Sequence, residues 1–254
     1  MPTTLPLAEL GEGIGDATAV LRNNAAVAGL DATVPTCPDW TVRDLLTHQG
    51  LVHRWAAGMV HGEAERAEAE VEAEAAQAPD LLQWLDDGMV LLLNALAGAP
   101  ADLDVPFFLD DAPSPRQAWA RRQCHETTMH GVDAMAARLG RAPRPDELWF
   151  SPALARDGID ELLLGFAPRA KSNPKADAPT SIAVVTDDGL GRWTLSLDLD
   201  GTRASVGADD DADVRIAGTA RGVYTSLWNR GRHFEVTGDA TVVESFLNQL
   251  RVTW

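Results

Sequence analysis

The spacing of the apolar residues changes near the middle of the chain, and this change constrains the fold more than any other feature. Up to about residue 139, apolar residues recur at helical spacing in four stretches, residues 7–30, 41–59, 80–96 and 114–139. From residue 181 onward, apolar and polar residues alternate, as is typical of short strands in a half-buried sheet. The two patterns in succession predict a helical unit followed by a mixed α and β unit.

Turn residues separate the four helical stretches, which predicts an antiparallel four-helix bundle. Residues 35–40, PTCPDW, are expected to form the turn before the second helix. Thr41 and Asp44 have the spacing of a capping box at the start of the second helix. Gly11, Gly13 and Gly15 interrupt the first stretch, so its starting residue stays open. Residues 62–78 are rich in alanine and glutamate, which favours a solvated helix or a loop.

The proline-containing segment 141–145 is the best candidate for a linker between two domains. We therefore expect a four-helix bundle over residues 1–142 and a smaller α+β domain over residues 147–254. The second domain is expected to contain helices at 152–166, 219–229 and 239–250, and strands at 181–186, 193–198, 203–206, 214–217 and 233–237. The fold class is thus α + α/β with two domains.

Charge and composition exclude several classes of partner. The 21 Lys and Arg residues against 38 Asp and Glu residues give a net charge of −17, which disfavours nucleic acid and anionic membranes. The most apolar stretch, residues 89–99, is too short to span a bilayer and contains Asn94. The N-terminus lacks the pattern of a signal peptide. We therefore expect a cytoplasmic protein without a membrane or nucleic acid partner, as a monomer or homodimer.

The fourth helical stretch carries the most informative cluster of polar residues. Glu126 and His130 are four residues apart and so lie on one helix face, and a carboxylate and an imidazole are natural ligands for zinc or a similar divalent ion. His125 is five residues from His130, about 140° around the helix, and is expected on another face. A third ligand must come from elsewhere, and His48, amid apolar neighbours on the second helix, is a plausible one. Alternatively, these residues are ordinary polar residues, with Glu126 paired to Arg122.

Two segments resemble the mycothiol-dependent maleylpyruvate isomerase family. Residues 37–48, CPDWTVRDLLTH, are similar to the family's segment that leads into its first metal-ligand histidine. Residues 125–133, HETTMHGVD, are similar to its second signature, a Glu-x-x-x-His followed by an aspartate. The resemblance covers nearly the whole chain. It implies a DinB-like four-helix bundle followed by the α+β domain of the family.

The resemblance also implies a cofactor and a chemistry. A divalent metal ion, by preference Zn²⁺, would be held by His48, Glu126 and His130, with Asp133 orienting His130. Mycothiol would be the thiol cofactor or co-substrate, activated as a metal-bound thiolate for isomerisation or S-transfer on a small electrophilic substrate. Residues 216–230 are similar to a segment whose terminal arginine serves the isomerase active site. Arg230 is therefore the candidate catalytic residue for holding an anionic group, or else a surface arginine at a helix end.

The chain also departs from the isomerase pattern, which leaves the reaction open. His125 stands where the isomerase has an arginine, and the bulky Trp228 and Asn229 stand where it has small residues. An isomerase and an S-transferase are both compatible with the motifs. Two other functions remain as alternatives: a metal-dependent hydrolase that uses an activated water, and a non-catalytic module for small-molecule binding or stress response.

Overall fold

Helices form the first half of the chain and a five-stranded sheet lies in the second. The structure is a computed structural model that describes residues 3–63, 66–109, 114–169, 171–189, 191–250 and 252. The chain divides into two compact units, one ending at Pro143 and the other beginning at Arg144, with Phe108 and Leu109 belonging to the second. The predicted fold class, a helical domain followed by an α+β domain, is confirmed.

Within the described residues, the first unit is built from five helices and a short hairpin. Helix α1 packs along α5 and helix α2 along α4, while α2 also contacts α5. Helix α3 lies within residues 62–78, where a solvated helix or a loop was expected. It is a helix, but its Val71 and Ala75 are buried. The elements are α1 (Leu7–Ala28), β1 (Thr33–Val34), β2 (Cys37–Thr41), α2 (Val42–His61), α3 (Glu68–Gln77), α4 (Leu81–Gly98) and α5 (Pro115–Leu139).

Helix α5 is buried on every side. Every residue from Ala118 to Ala136 is buried, although the helix contains arginine, glutamate, histidine and aspartate side chains. A helix buried all round is normally apolar all round, because a buried charge is costly unless it is paired. The polar residues of α5 must therefore have partners inside the protein, and these partners define the candidate site.

The segment between α1 and α2 differs in part from its prediction. A turn was expected over residues 35–40, but the turn is limited to Pro35 and Thr36, and residues 37–41 form strand β2, paired antiparallel with β1. The predicted capping box at the start of α2 is present: Asp44 N donates to Thr41 Oγ1 at 3.3 Å, and Thr41 N donates to Asp44 Oδ2 at 2.8 Å.

The second unit has helices around a mixed sheet whose strand order is β5-β4-β3-β6-β7. Strands β3 and β6 pair in parallel, and the other neighbours are antiparallel. In the central strand β3, Val184 lies opposite Trp193 on one side and Ile216 on the other. The elements are a 3₁₀-helix (Pro145–Glu147), α6 (Pro152–Asp160) continued by a π-helix (Glu161–Phe166), β3 (Thr180–Thr186), β4 (Arg192–Leu197), β5 (Thr202–Val206), β6 (Val214–Gly218), α7 (Ala220–Leu227), β7 (Glu235–Thr237) and α8 (Ala240–Gln249).

Among the described residues, no helix combines the length and the apolar character that crossing a membrane requires.

Two glycines of α1 give a matched test of the packing between α1 and α5. A Cβ atom at Gly13 would lie 2.6 Å from the buried Cys124 Sγ, whereas a Cβ at Gly15 meets nothing within 4 Å. We expect Gly13→Ala to lower the free energy of unfolding by about 1–3 kcal/mol, because the buried thiol must shift. Gly15→Ala is expected to raise it by about 0.4–1 kcal/mol through the lower entropy of the unfolded chain. Urea unfolding measures both, and equal effects of the two substitutions would contradict the close approach of the helices.

Candidate metal centre

His48 from α2 and Glu126 and His130 from α5 meet in the interior of the first unit. Glu126 Oε1 lies 3.5 Å from His48 Nε2 and 3.2 Å from His130 Nε2. The candidate ligand atoms all lie within 4.8 Å of one another. The side chains of Glu126 and His130 are 7% and 8% exposed, while that of His48 is 27% exposed, so the cluster is reached from the side of His48.

These distances suit a tetrahedrally coordinated divalent ion. Ligand atoms about 2.1 Å from such an ion stand roughly 3.4 Å apart. The observed separations of 3.2 and 3.5 Å from Glu126 Oε1 are close to that value. Two imidazoles and one carboxylate are also the donor set of many zinc sites that keep a coordination position open for another ligand. The residues present therefore fit a divalent ion in their chemistry and in the two separations from Glu126 Oε1.

Arg122 binds the second carboxylate oxygen of Glu126, the one that does not face the histidines. Arg122 Nη2 donates to Glu126 Oε2 at 2.9 Å, and the Arg122 side chain is fully buried. Burial alone would raise the pKa of Glu126, but hydrogen bonds with His130 and His48 and the charge of Arg122 hold that pKa well below its usual range. Glu126 is thus an anion with one oxygen committed to Arg122 and the other directed at the two histidines.

Asp133 orients His130 from behind. Asp133 Oδ2 lies 2.9 Å from His130 Nδ1, and because an ionised carboxylate can only accept, Nδ1 carries a proton. Burial alone would lower the pKa of His130, but the carboxylates of Asp133 and Glu126 raise it to about 9. The structure thus places Asp133 where the sequence predicts it, one turn after His130.

The hairpin before α2 completes the surroundings of the cluster, although none of its residues was predicted from the sequence to belong to the site. Thr36 Oγ1 donates to Asp133 Oδ1 at 2.5 Å, and Cys37 Sγ lies 3.5 Å from Asp133 Oδ2. The Trp40 ring lies 4.9 Å from the His48 ring and is stacked 5.7 Å from that of His130, between ring centroids. The one available signal was the position of these residues just before a helix that carries a candidate ligand.

The remaining site candidates lie elsewhere. His125 is fully buried on α5 but does not belong to the cluster, as its spacing from His130 predicts. Arg230 lies in the second unit, after α7, where its Nη1 donates to the carbonyl of Trp228 at 2.7 Å. Helix α7 ends at Leu227, two residues before the predicted end, and Asn229 has φ of 61°. The catalytic role of Arg230 stays a prediction.

His53 gives the first unit a pH-dependent stability. Burial is the main cause that lowers its pKa to about 3, against 6.5 for a free imidazole. The unfolded chain therefore binds this proton more readily than the folded one. The contribution of His53 to stability is complete above pH 6.5 and falls as the pH decreases towards 3, by up to about 1.4 kcal/mol per pH unit.

We expect His53→Gln to make the free energy of unfolding less steeply dependent on pH between pH 6.5 and 4, because the buried imidazole is gone. Urea unfolding at a series of pH values, with a chelator present throughout, measures the slope. Parallel slopes for the wild-type chain and the variant would show that His53 is not held neutral by burial.

Comparison with known proteins gives the family. The model of the mycothiol maleylpyruvate isomerase N-terminal domain matches residues 12–135, and the model of the C-terminal domain of the same family matches residues 153–245. The two matches together cover well over half of the chain. A comparison with curated protein sequences gives no match.

Solved structures show the same fold. The crystal structure of a mycothiol-dependent maleylpyruvate isomerase superposes with a TM-score of 0.65 at 16% identity, over 93% of this chain and 96% of that chain. A histidine-to-alanine mutant of such an isomerase gives a TM-score of 0.65 at 15% identity, with the same coverage of both chains. The likeness extends over both units, as the resemblance in the sequence predicts. The chain belongs to the mycothiol-dependent maleylpyruvate isomerase family.

Proposed function

We propose that the protein is a metal-dependent enzyme that uses a low-molecular-weight thiol, mycothiol, on a small electrophilic substrate. The observation that carries this proposal is the convergence of His48, Glu126 and His130 within 4.8 Å in the interior of the helical unit. The family and the solved isomerase of the same fold support mycothiol as the thiol and maleylpyruvate as the first substrate to test. Isomerisation and S-transfer both remain within the proposal.

His48, Glu126 and His130 would hold the ion, with Zn²⁺ as the preferred metal. When bound, such an ion stabilises the anionic form of a thiol, which is the nucleophilic form. With an ion bound, Glu126 would supply one negative charge, and His48 and His130 would coordinate as neutral imidazoles, His130 having released its Nε2 proton. A divalent ion would then keep a net positive charge in the site. That charge favours an incoming anion, whether a thiolate or an acidic substrate.

The surrounding residues prepare the ligands for this task. Arg122 fixes the carboxylate of Glu126 through Oε2, which leaves Oε1 on the side of the histidines. Asp133 holds a proton on His130 Nδ1, so that Nε2 is the nitrogen that would release its proton and coordinate an ion. The Trp40 ring packs against both imidazole rings.

Arg230 is our candidate for holding an anionic group of the substrate. Maleylpyruvate is a dicarboxylate, and arginine binds carboxylates with two parallel hydrogen bonds. Support for Arg230 comes from the resemblance of residues 216–230 to the family segment that ends in an active-site arginine. A hydrolase that activates water in place of a thiol is the competing reaction, and it would show turnover without added thiol.

The metal site can be tested by substitution of its ligands. The wild-type chain, purified without chelators, is expected to carry about one zinc or similar ion. We expect His48→Ala and His130→Ala to lose the ion and thiol-dependent turnover while they keep the helical circular dichroism spectrum, because each removes a ligand atom. His61→Ala is the matched control, since His61 is exposed in the last turn of α2. Full metal content in either ligand variant, measured by mass spectrometry, would contradict the assignment.

Substitution of Arg230 separates substrate binding from metal binding. We expect Arg230→Ala to keep the metal and to lower kcat/KM by roughly 10- to 100-fold, the effect of losing a hydrogen bond to a charged group. Arg232→Ala is the control, because the Arg232 side chain is 43% exposed and pairs with Glu244. Steady-state kinetics with maleylpyruvate and mycothiol measure both variants. Unchanged kinetics in Arg230→Ala would remove Arg230 from the active site.

A further inference from the structure

A second polar contact joins α2 to α5 directly beside the candidate ligands. Gln49 Nε2 donates to Thr127 Oγ1 at 3.2 Å, and His53 Nε2 lies 3.0 Å from the same oxygen. All three side chains are fully buried. Gln49 and His53 are one turn apart on α2, so two groups of one helix converge on a single atom of the other.

The hydrogen atoms of this network can be assigned. Thr127 Oγ1 lies 2.7 Å from the carbonyl oxygen of Gln123, to which it donates its only hydrogen. The oxygen can then only accept from Gln49 and from His53, so the His53 proton sits on Nε2. With one hydrogen donated and two accepted, the hydroxyl of Thr127 has reached its full hydrogen-bonding capacity.

The network is adjacent in sequence to the ligands on both helices. Gln49 follows His48, and Thr127 follows Glu126. Among the three candidate ligands, only His48 comes from α2, while Glu126 and His130 are held in register by α5 itself. The relative position of α2 and α5 therefore decides whether the third ligand reaches the other two.

Apolar packing holds α2 against its neighbours, but the burial of apolar surface is itself non-directional. Metal coordination tolerates ligand distances only within about 0.2 Å of the preferred values. Hydrogen bonds depend steeply on distance and angle, and two of them meeting at one oxygen restrict both the slide and the rotation of the helix.

We propose that Thr127, together with Gln49 and His53, is a positioning group that sets the register of α2 on α5 and so brings His48 to the metal site. This inference rests on the proposed function, because it concerns the affinity of that site for its ion. The three residues themselves do not touch the ion. Their effect is measured as binding of zinc alone, by competition with a chromophoric chelator, on the purified full chain.

The first test removes the hydroxyl and then restores it. Thr127→Val keeps the shape of the side chain but loses the acceptor, and we expect roughly tenfold weaker zinc binding, the scale found for groups that orient metal ligands. Thr127→Ser keeps the hydroxyl and is expected to bind zinc as tightly as the wild-type chain. Zinc affinity equal to that of the wild-type chain in Thr127→Val would overturn the inference.

Thr18→Val is the matched control for a buried threonine. Thr18 is fully buried on α1, and its hydroxyl donates to the carbonyl of Ile14 in its own helix at 2.8 Å. We expect this variant to keep the zinc affinity of the wild-type chain, even where its thermal unfolding temperature falls. An equal loss of zinc affinity in Thr18→Val and Thr127→Val would show a general effect of stability and overturn the inference.

Gln49→Met is a second test of the inference, which separates zinc affinity from stability and replaces the first test if Thr127→Val does not fold. Among the described residues, Gln49 Oε1 has no hydrogen-bond partner, so replacing the amide removes an unsatisfied buried acceptor. We expect weaker zinc binding with little change in the unfolding temperature of the metal-free protein. Unchanged zinc affinity in this variant would overturn the inference alone, whereas a wild-type chain that takes up no ion would overturn the proposed function and the inference with it.

Discussion

The buried carboxylate of Glu126 is the charge on which the interior of the helical unit depends. Removing a carboxylate from water costs several kcal/mol unless hydrogen bonds and opposite charges replace the water. Arg122 takes one oxygen and the two histidines face the other. The hydrogen bonds continue outward from Glu126. His130 is hydrogen-bonded to Asp133, and Asp133 accepts a hydrogen bond from Thr36 of the hairpin. Arg122, Glu126, His130 and Asp133 of α5 thus form one connected arrangement that reaches from the helix to the hairpin.

Helix geometry explains why part of this site was predictable. Glu126, His130 and Asp133 lie on one helix, and their shared face follows from a spacing of three or four residues. The competing interpretation, in which Glu126 pairs with Arg122, is also present in the structure, and the two are compatible because each uses a different carboxylate oxygen. His48 lies 78 residues before Glu126, so spacing alone made it only a plausible partner, which the family resemblance then supported.

The rest of the site depends on contacts between distant segments, which periodicity does not encode. The stacking of Trp40 on the His130 ring and the convergence of Gln49 and His53 on Thr127 both join segments more than 70 residues apart. The hairpin was predicted only as a turn, because strands of two and five residues, one of them containing Pro38, are too short for alternation to be recognised. The complete burial of α5 was likewise hidden, since its polar residues are typical of an exposed face.

The separation of the candidate ligands along the chain has a consequence for the cell. Because α2 and α5 bring the ligand atoms together only when the bundle is assembled, an ion bound there binds the folded state and not the unfolded chain. Binding to the folded state alone adds about 2.7 kcal/mol to its stability when the free ion is at 100 times its dissociation constant. The supply of metal would then govern the lifetime of the protein against proteolysis as well as its activity.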